Sequence, residues 1–426
     1  MSERDDSVVR TVAWTEVFPW LGIVRSFRLA IAGRVLVLGA VGILLTAMAW
    51  AVVGWLFGAG SGGGPDKWSG PWLDSFTSCP WKAVTAAVPD QPTICPTICE
   101  GRYPPGPSIE RTPWSHDPIT GPWMLLSTPA LAGIHNQSHS LRMAASVVLC
   151  GLLSTAIWAF FGGAICRIAV VQLAAGEQVG MGAALRYACR KWPSYFWAPL
   201  MPVGGVLLAT IPVFVLGLIM RAIGLWVGIF VWPLVLAAGL LMALLLAGLL
   251  FGWPLMWATI SAEGTDSFDA LSRAYAYTFQ RPLHYLFYAA VAGFIGWLGW
   301  LVVQNFAAGV VWMSYWAAAW GCSSSQVERM LGEGKGISVG VIHFWAGCVK
   351  LLAVGYLFSY FWTATAAIYL LLRRDVDATE MDEVFLDADA SEESFGLPTI
   401  ATDEAGAPAA ADDVVEDTPS ENGGTP

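Results

Sequence analysis

Cys95 and Cys99, together with His135 and His139, give C-x3-C and H-x3-H in one stretch of chain, spacings that suit a tetrahedral zinc ion. The same stretch offers a competing chemistry. Cys79, Cys95, Cys99 and Cys322 all fall on the side that the charge pattern assigns to the exterior, and four cysteines in an oxidising compartment read as two disulfides. Three pairings are open, and the one favoured places a bridge within the loop and a second between the loop and Cys322. The zinc pattern is incomplete as a finger signature, so disulfides are the stronger reading and no metal or cofactor is expected. Cys150, Cys166 and Cys348 lie in or beside apolar runs, and Cys189 lies on a basic segment.

Gln304, Asn305, His343 and Lys350 are the polar groups that fall in or beside apolar runs. Such groups could face a polar or anionic solute, because a charge in lipid is costly unless it serves a pathway. Other matches fail on context. Gly58-Ala59-Gly60-Ser61-Gly62-Gly63 fits G-x-G-x-x-G, but it follows an apolar run rather than a strand. Ser115-His116-Asp117 has the residue types of a hydrolytic triad, yet sequence neighbours cannot adopt triad geometry. No H-E-x-x-H or Walker pattern occurs, and no catalytic set is expected.

The elements that must carry these residues are apolar helices. The chain has 426 residues with 56% hydrophobic and 13% charged, and its mean hydropathy is +0.58. A soluble domain carries about twice that charged fraction. The expected fold is an all-α integral membrane protein with about six transmembrane helices. After a leader and interfacial segment (1–34), the spans are read at 35–57, 143–166, 195–218, 231–260, 283–304 and 351–372. Starting the last span at Val341 would bury Lys350, so the later placement is preferred. The first run, beginning near Val35, is too long for the core of a cleavable signal peptide. Thirteen of the 25 prolines lie between Pro65 and Pro129, which makes 58–142 an irregular outer loop. Residues 306–350 are expected as an outer hairpin.

Two stretches resemble each other. Glu263 to Tyr288 contains Asp266 as a helix cap, an Asp269–Arg273 pair, and Phe268, Leu271, Tyr275 and Phe279 on one face. Arg281-Pro282 then ends the helix. The pattern predicts an amphipathic helix in the membrane interface. Glu177, Ala184, Leu185 and Ala188 precede Glu263, Ala270, Leu271 and Ala274 by 86 positions, with Arg186 and Arg190 nearby. This suggests two repeat units, 177–260 and 263–372. The stretch Ala270-Leu271-Ser272-Arg273-Ala274-Tyr275 resembles a loose class of uncharacterised bacterial polytopic membrane proteins. It is similar to the membrane-anchor domain of glycerophosphodiester phosphodiesterases, without the catalytic domain. The resemblance covers about 25 residues twice and implies a polytopic bundle with no defined activity.

Charge sets the orientation. All 22 basic residues precede Asp375, against 16 of the 32 acids, so a body of net charge +6 carries an acidic tail. Basic residues concentrate in the leader, the two repeat stretches and Arg373-Arg374, which places both termini in the cytoplasm of a cell (inner) membrane protein. Residues 375–426 read as a disordered tail, with Val384-Phe385-Leu386 and Phe395-Gly396-Leu397 as apolar breaks. The function expected is that of a non-catalytic membrane protein organising or assisting a partner through this tail. The alternative is a transporter or permease for a polar or anionic solute. The lipid bilayer is the certain partner, nucleic acid is not one, and oligomeric state is left open.

Overall fold

A computed structural model describes residues 18–57, 118–135, 141–224, 226, 228–323, 325–327, 337–379 and 383–385. Cys79, Cys95, Cys99 and His139, and the tail from Leu386, lie outside the described residues. The described residues contain no strand. After a 3-10 turn at Pro19–Leu21, the helices are α1 (Gly22–Ala30), α2 (Gly33–Leu56), α3 (Thr120–His135), α4 (Leu141–Ala174) and α5 (Met181–Ile223). They continue with α6 (Gly228–Glu263), α7 (Ser267–Gln280), α8 (Pro282–Gly321) and α9 (Ile337–Asp377). Six of them (α2, α4, α5, α6, α8 and α9) are long and apolar enough to cross a membrane.

Helix α9 is the axis. From Ala353 to Arg373 its residues are buried, Leu357 alone excepted, and α1, α2, α4, α6 and α8 pack against it. Lipid tails are as apolar as leucine, so the hydrophobic effect does not press such helices together, and close backbone approach must do so. Glycines allow it here. A Cβ on Gly39 of α2 would lie 2.5 Å from the Gly355 carbonyl of α9, and one on Gly355 would lie 2.8 Å from Ala40. Tyr360 covers Gly296 of α8 and donates to the Ala292 carbonyl at 2.8 Å. Ser359 and Thr363 donate to the carbonyls of Ala30 and Ser26, tying α1 to the same axis.

A second layer of the core is aromatic. Trp257 stacks on Trp362 with centroids 4.6 Å apart, Trp158 stacks on Phe358 at 4.9 Å, and Trp253 meets Trp362 edge-on. Gly162 is the flat spot under Trp257 and Trp362. Away from this core α5 and α6 pack on each other and leave apolar side chains uncovered. Leu208 and Phe214 of α5, and Phe230 and Leu240 of α6, are exposed, as are many of their neighbours. Long apolar side chains without protein cover suit hydrocarbon.

Several expectations change. No separate helix precedes the third span, because α5 runs unbroken from Met181 through Pro193, Pro199, Pro202 and Pro212. There the Trp192 indole donates to the Ala156 carbonyl of α4 at 3.0 Å and its ring stacks on Phe196. In the second copy Arg281 leaves the helical region (φ −132°, ψ 54°) and Pro282 starts α8, as its sequence predicts. Within the stretch expected as an outer hairpin, 306–350, α8 extends to Gly321 and α9 begins at Ile337. Cys322 lies at the C-cap of α8, and the loop cysteines expected to bridge to it lie outside the described residues.

The Gly39–Gly355 contact gives a direct check. Gly355→Ala should lower stability by about 1–3 kcal/mol, the range for overpacking, read as a fall in Tm in detergent. Gly182→Ala, which meets open space on α5, should not lower it.

Candidate functional site: the buried end of α6

An α-helix leaves its last four carbonyls without partners, and burying them uncapped is costly. Helix α6 ends inside the protein, at Glu263, and the chain then turns back at Gly264 (φ +66°) into α7. A left-handed residue at this point is the usual exit from a helix, and glycine enters it without strain. The orphan carbonyls are met from three directions. Tyr187 of α5 donates to Ile260 O at 2.8 Å, and Arg167 of α4 donates to Ser261 O at 2.8 Å. The Phe385 amide donates to Ala262 O at 2.8 Å, and Lys191 donates to Gly264 O. Two of these donors are cations, which the negative end of the helix dipole favours.

Arg167 is 4% exposed and has no carboxylate within ion-pair distance among the described residues. Its charge is met by the Ser261 and Phe385 carbonyls and by the Tyr187 ring, whose centroid lies 4.3 Å below the guanidinium. Tyr195 shares a hydrogen bond of 2.8 Å with Ser261 Oγ beside it.

Glu263 gathers the other side of the site. Its carboxylate accepts from Arg273 of α7 at 2.9 Å and from the Tyr369 hydroxyl of α9 at 2.7 Å, and Arg373 Nε lies 3.6 Å away. Its side chain is only 12% exposed. Arg273 also reaches Asp269 at 3.4 Å, the pair its i,i+4 spacing predicts, and the Asp266 side chain accepts from the Asp269 amide as an N-cap. Arg373 continues outward to the Glu383 carbonyl at 2.7 Å. Tyr277 donates to Asp377, and Tyr288 donates to Asp375 at 2.7 Å. Burial lowers the Arg273 pKa, but Glu263 and Asp269 more than offset it, and the net shift is upward. Burial first, and then Asp377, raises the Tyr277 phenol.

The other sequence candidates lie apart. Ala184 and Ala188 of α5, and Ala270 and Ala274 of α7, are all buried where each helix folds back on the one before it. Leu185 and Leu271 are half-buried. Arg186 and Arg190 are exposed on α5, and Arg190 lies over the Tyr187 ring at 5.7 Å. The face of α7 that meets protein carries Ala270, Ala274, Tyr277 and Thr278, while Phe268 and Phe279 point away. Tyr275, of that same predicted apolar face, covers Gly248. Gln304 is buried with its Oε1 unpartnered, and Asn305 donates to Leu301 O at 2.7 Å. His343 and Lys350 are exposed on the first part of α9. Of the zinc reading only His135 falls within a described helix, at the end of α3. No group of three or more potential ligands is assembled among the described residues.

Sequence reasoning missed Tyr369, Tyr277, Asp377 and Arg167 as partners at this site. The one available signal was the scarcity of acids in the helical body, which makes Glu263 stand out. A comparison with family models, characterised proteins and solved structures returned no match for the chain. The class therefore rests on the fold itself: a multi-pass membrane protein, helical over the described residues, with six helices long and apolar enough to cross a membrane, of which α4, α5 and α9 meet the buried, charged end of α6.

Burial pushes the Tyr275 phenol up to about 12, and its hydroxyl donates to the Leu245 carbonyl. A folded pKa above the unfolded value means the stabilisation is complete below pH ~10 and is lost as pH rises through the folded value. Tyrosinate absorbance should therefore show a late-titrating phenol that Tyr275→Phe removes. That variant should also lose less stability between pH ~10 and ~12 than the wild type.

Proposed function

We propose that the chain is a non-catalytic membrane protein of the cell (inner) membrane that organises or assists a partner protein. The observation that carries this reading is how the charged groups at the end of α6 are used. Glu263, Arg273, Arg373 and Arg167 are spent on one another, on tyrosines and on backbone carbonyls, each contact joining separate helices. A general base or nucleophile needs a free lone pair directed at substrate. Glu263 instead accepts from two firm donors and sits beside a third, an arrangement that holds helices together.

The convergent end carries Arg186, Arg190, Arg273, Arg281, Arg373 and Arg374, whereas Arg221 lies at the far end of α5. The positive-inside rule then puts the convergent end and both termini in the cytoplasm. On this reading α1, with Arg25 and Arg28 exposed, and α7, with Phe268 and Phe279 outward, lie at the cytoplasmic interface. The acidic tail leaves from the same end, available to a protein with a basic or grooved surface.

One observation favours the permease reading. Trp300 Nε1 and Gln304 Oε1, a donor and an acceptor one turn apart on α8, are both buried without partners. A polar solute could satisfy both.

Photo-crosslinking in cells from positions within 387–426 of the full chain should yield one discrete protein adduct. Absence of any adduct would count against the tail as a docking element. A rise in Tm with a polar solute, abolished by Gln304→Leu, would favour the permease instead.

A further inference from the structure

Val384-Phe385-Leu386 is the first apolar break in the acidic tail, the segment best suited by sequence to engage a partner. In the folded chain two of its residues are already engaged. Phe385 donates its amide to Ala262 O at 2.8 Å and offers its carbonyl to Arg167 at 2.7 Å. Val384 packs against the core, and the Phe385 ring lies over Gly264, where a Cβ would approach it to 2.9 Å. Arg373 takes the Glu383 carbonyl at 2.7 Å and sits 3.9 Å from the Glu383 carboxylate.

We propose that Glu383–Phe385 is a latch: the root of the tail occupies the C-terminal end of α6 in cis, and it must leave that seat before a partner can take Val384 and Phe385. The proposal rests on the reading that the tail engages a partner, and it adds the control over when it does so. The contacts fit an exchangeable seat. Phe385 uses its backbone donor and acceptor together, so a partner that reads this segment through its main chain competes for the same groups. One edge of the Phe385 ring stays exposed (46%), which leaves the seat open at its rim. The latch follows α9 closely in sequence, so it competes for its seat at a high effective concentration. Glycine at position 264 serves twice, as the left-handed exit from α6 and as the floor under Phe385.

The test alters the seat and leaves the tail intact. Asparagine tolerates the left-handed conformation, so Gly264→Asn adds a side chain under Phe385 with little backbone strain. Hydrogen exchange of the full-length protein in nanodiscs should show the Phe385 amide at least ten-fold slower than an unprotected amide. In Gly264→Asn it should exchange at least ten-fold faster than in the wild type, and the yield of the tail's crosslinked adduct in cells should rise. An unprotected Phe385 amide in the wild type overturns the latch, whatever the tail binds. Release of the amide without a change in adduct yield also overturns it, leaving a staple that controls nothing. No adduct from either protein removes the partner reading and the gating role with it, while amide exchange still reports separately whether the seat is occupied.

Discussion

A helix that stops inside a protein must find partners for its last carbonyls, and the end of α6 sets this demand for the whole bundle. Its partners come from α4, α5 and the segment after α9, all of them distant from it in sequence. Glu263, the last residue of the helix, adds α7 and α9 through Arg273, Tyr369 and Arg373. One helix terminus therefore fixes the relative placement of most of the helices at this end. In a low-dielectric setting a carboxylate or guanidinium left alone would be strongly destabilising, so the charges are kept only as a connected set.

Packing around α9 supplies the rest. At Gly39–Gly355 and at Gly296–Tyr360 the backbones approach closely enough for dispersion and carbonyl hydrogen bonds to act in place of the hydrophobic effect. The tryptophan cluster fills the wider gap between α4, α6 and α9. Towards the far end α5 and α6 present bare apolar surface.

Much of this was legible locally. The apolar runs marked the six long helices. Asp266, the Asp269–Arg273 spacing and Arg281-Pro282 correctly bounded α7. What the sequence hid follows from the solvent. In a bilayer both lipid and protein interior are apolar, so hydropathy cannot say which face of a helix meets which. Phe268 and Phe279 made the more hydrophobic stripe of α7, yet the protein-facing stripe is the smaller Ala270 and Ala274, which let α7 lie close to α6. Several tryptophans pack on one another inside the bundle. The links from Glu263 to Tyr369 and from Arg167 to Phe385 span 106 and 218 residues, beyond any local pattern.

The central claim is that Glu263 couples α6 to α9 as one energetic unit. A double-mutant cycle with Glu263→Gln and Arg373→Gln, read by reversible unfolding in detergent, tests it most directly. Contacting charges in one network are expected to show a coupling of about 0.5–3 kcal/mol. Glu177→Gln, 86 positions earlier and without an ion pair among the described residues, should show none with Arg373→Gln. Additive losses for the Glu263 pair would contradict the account and reduce the site to a set of independent surface contacts.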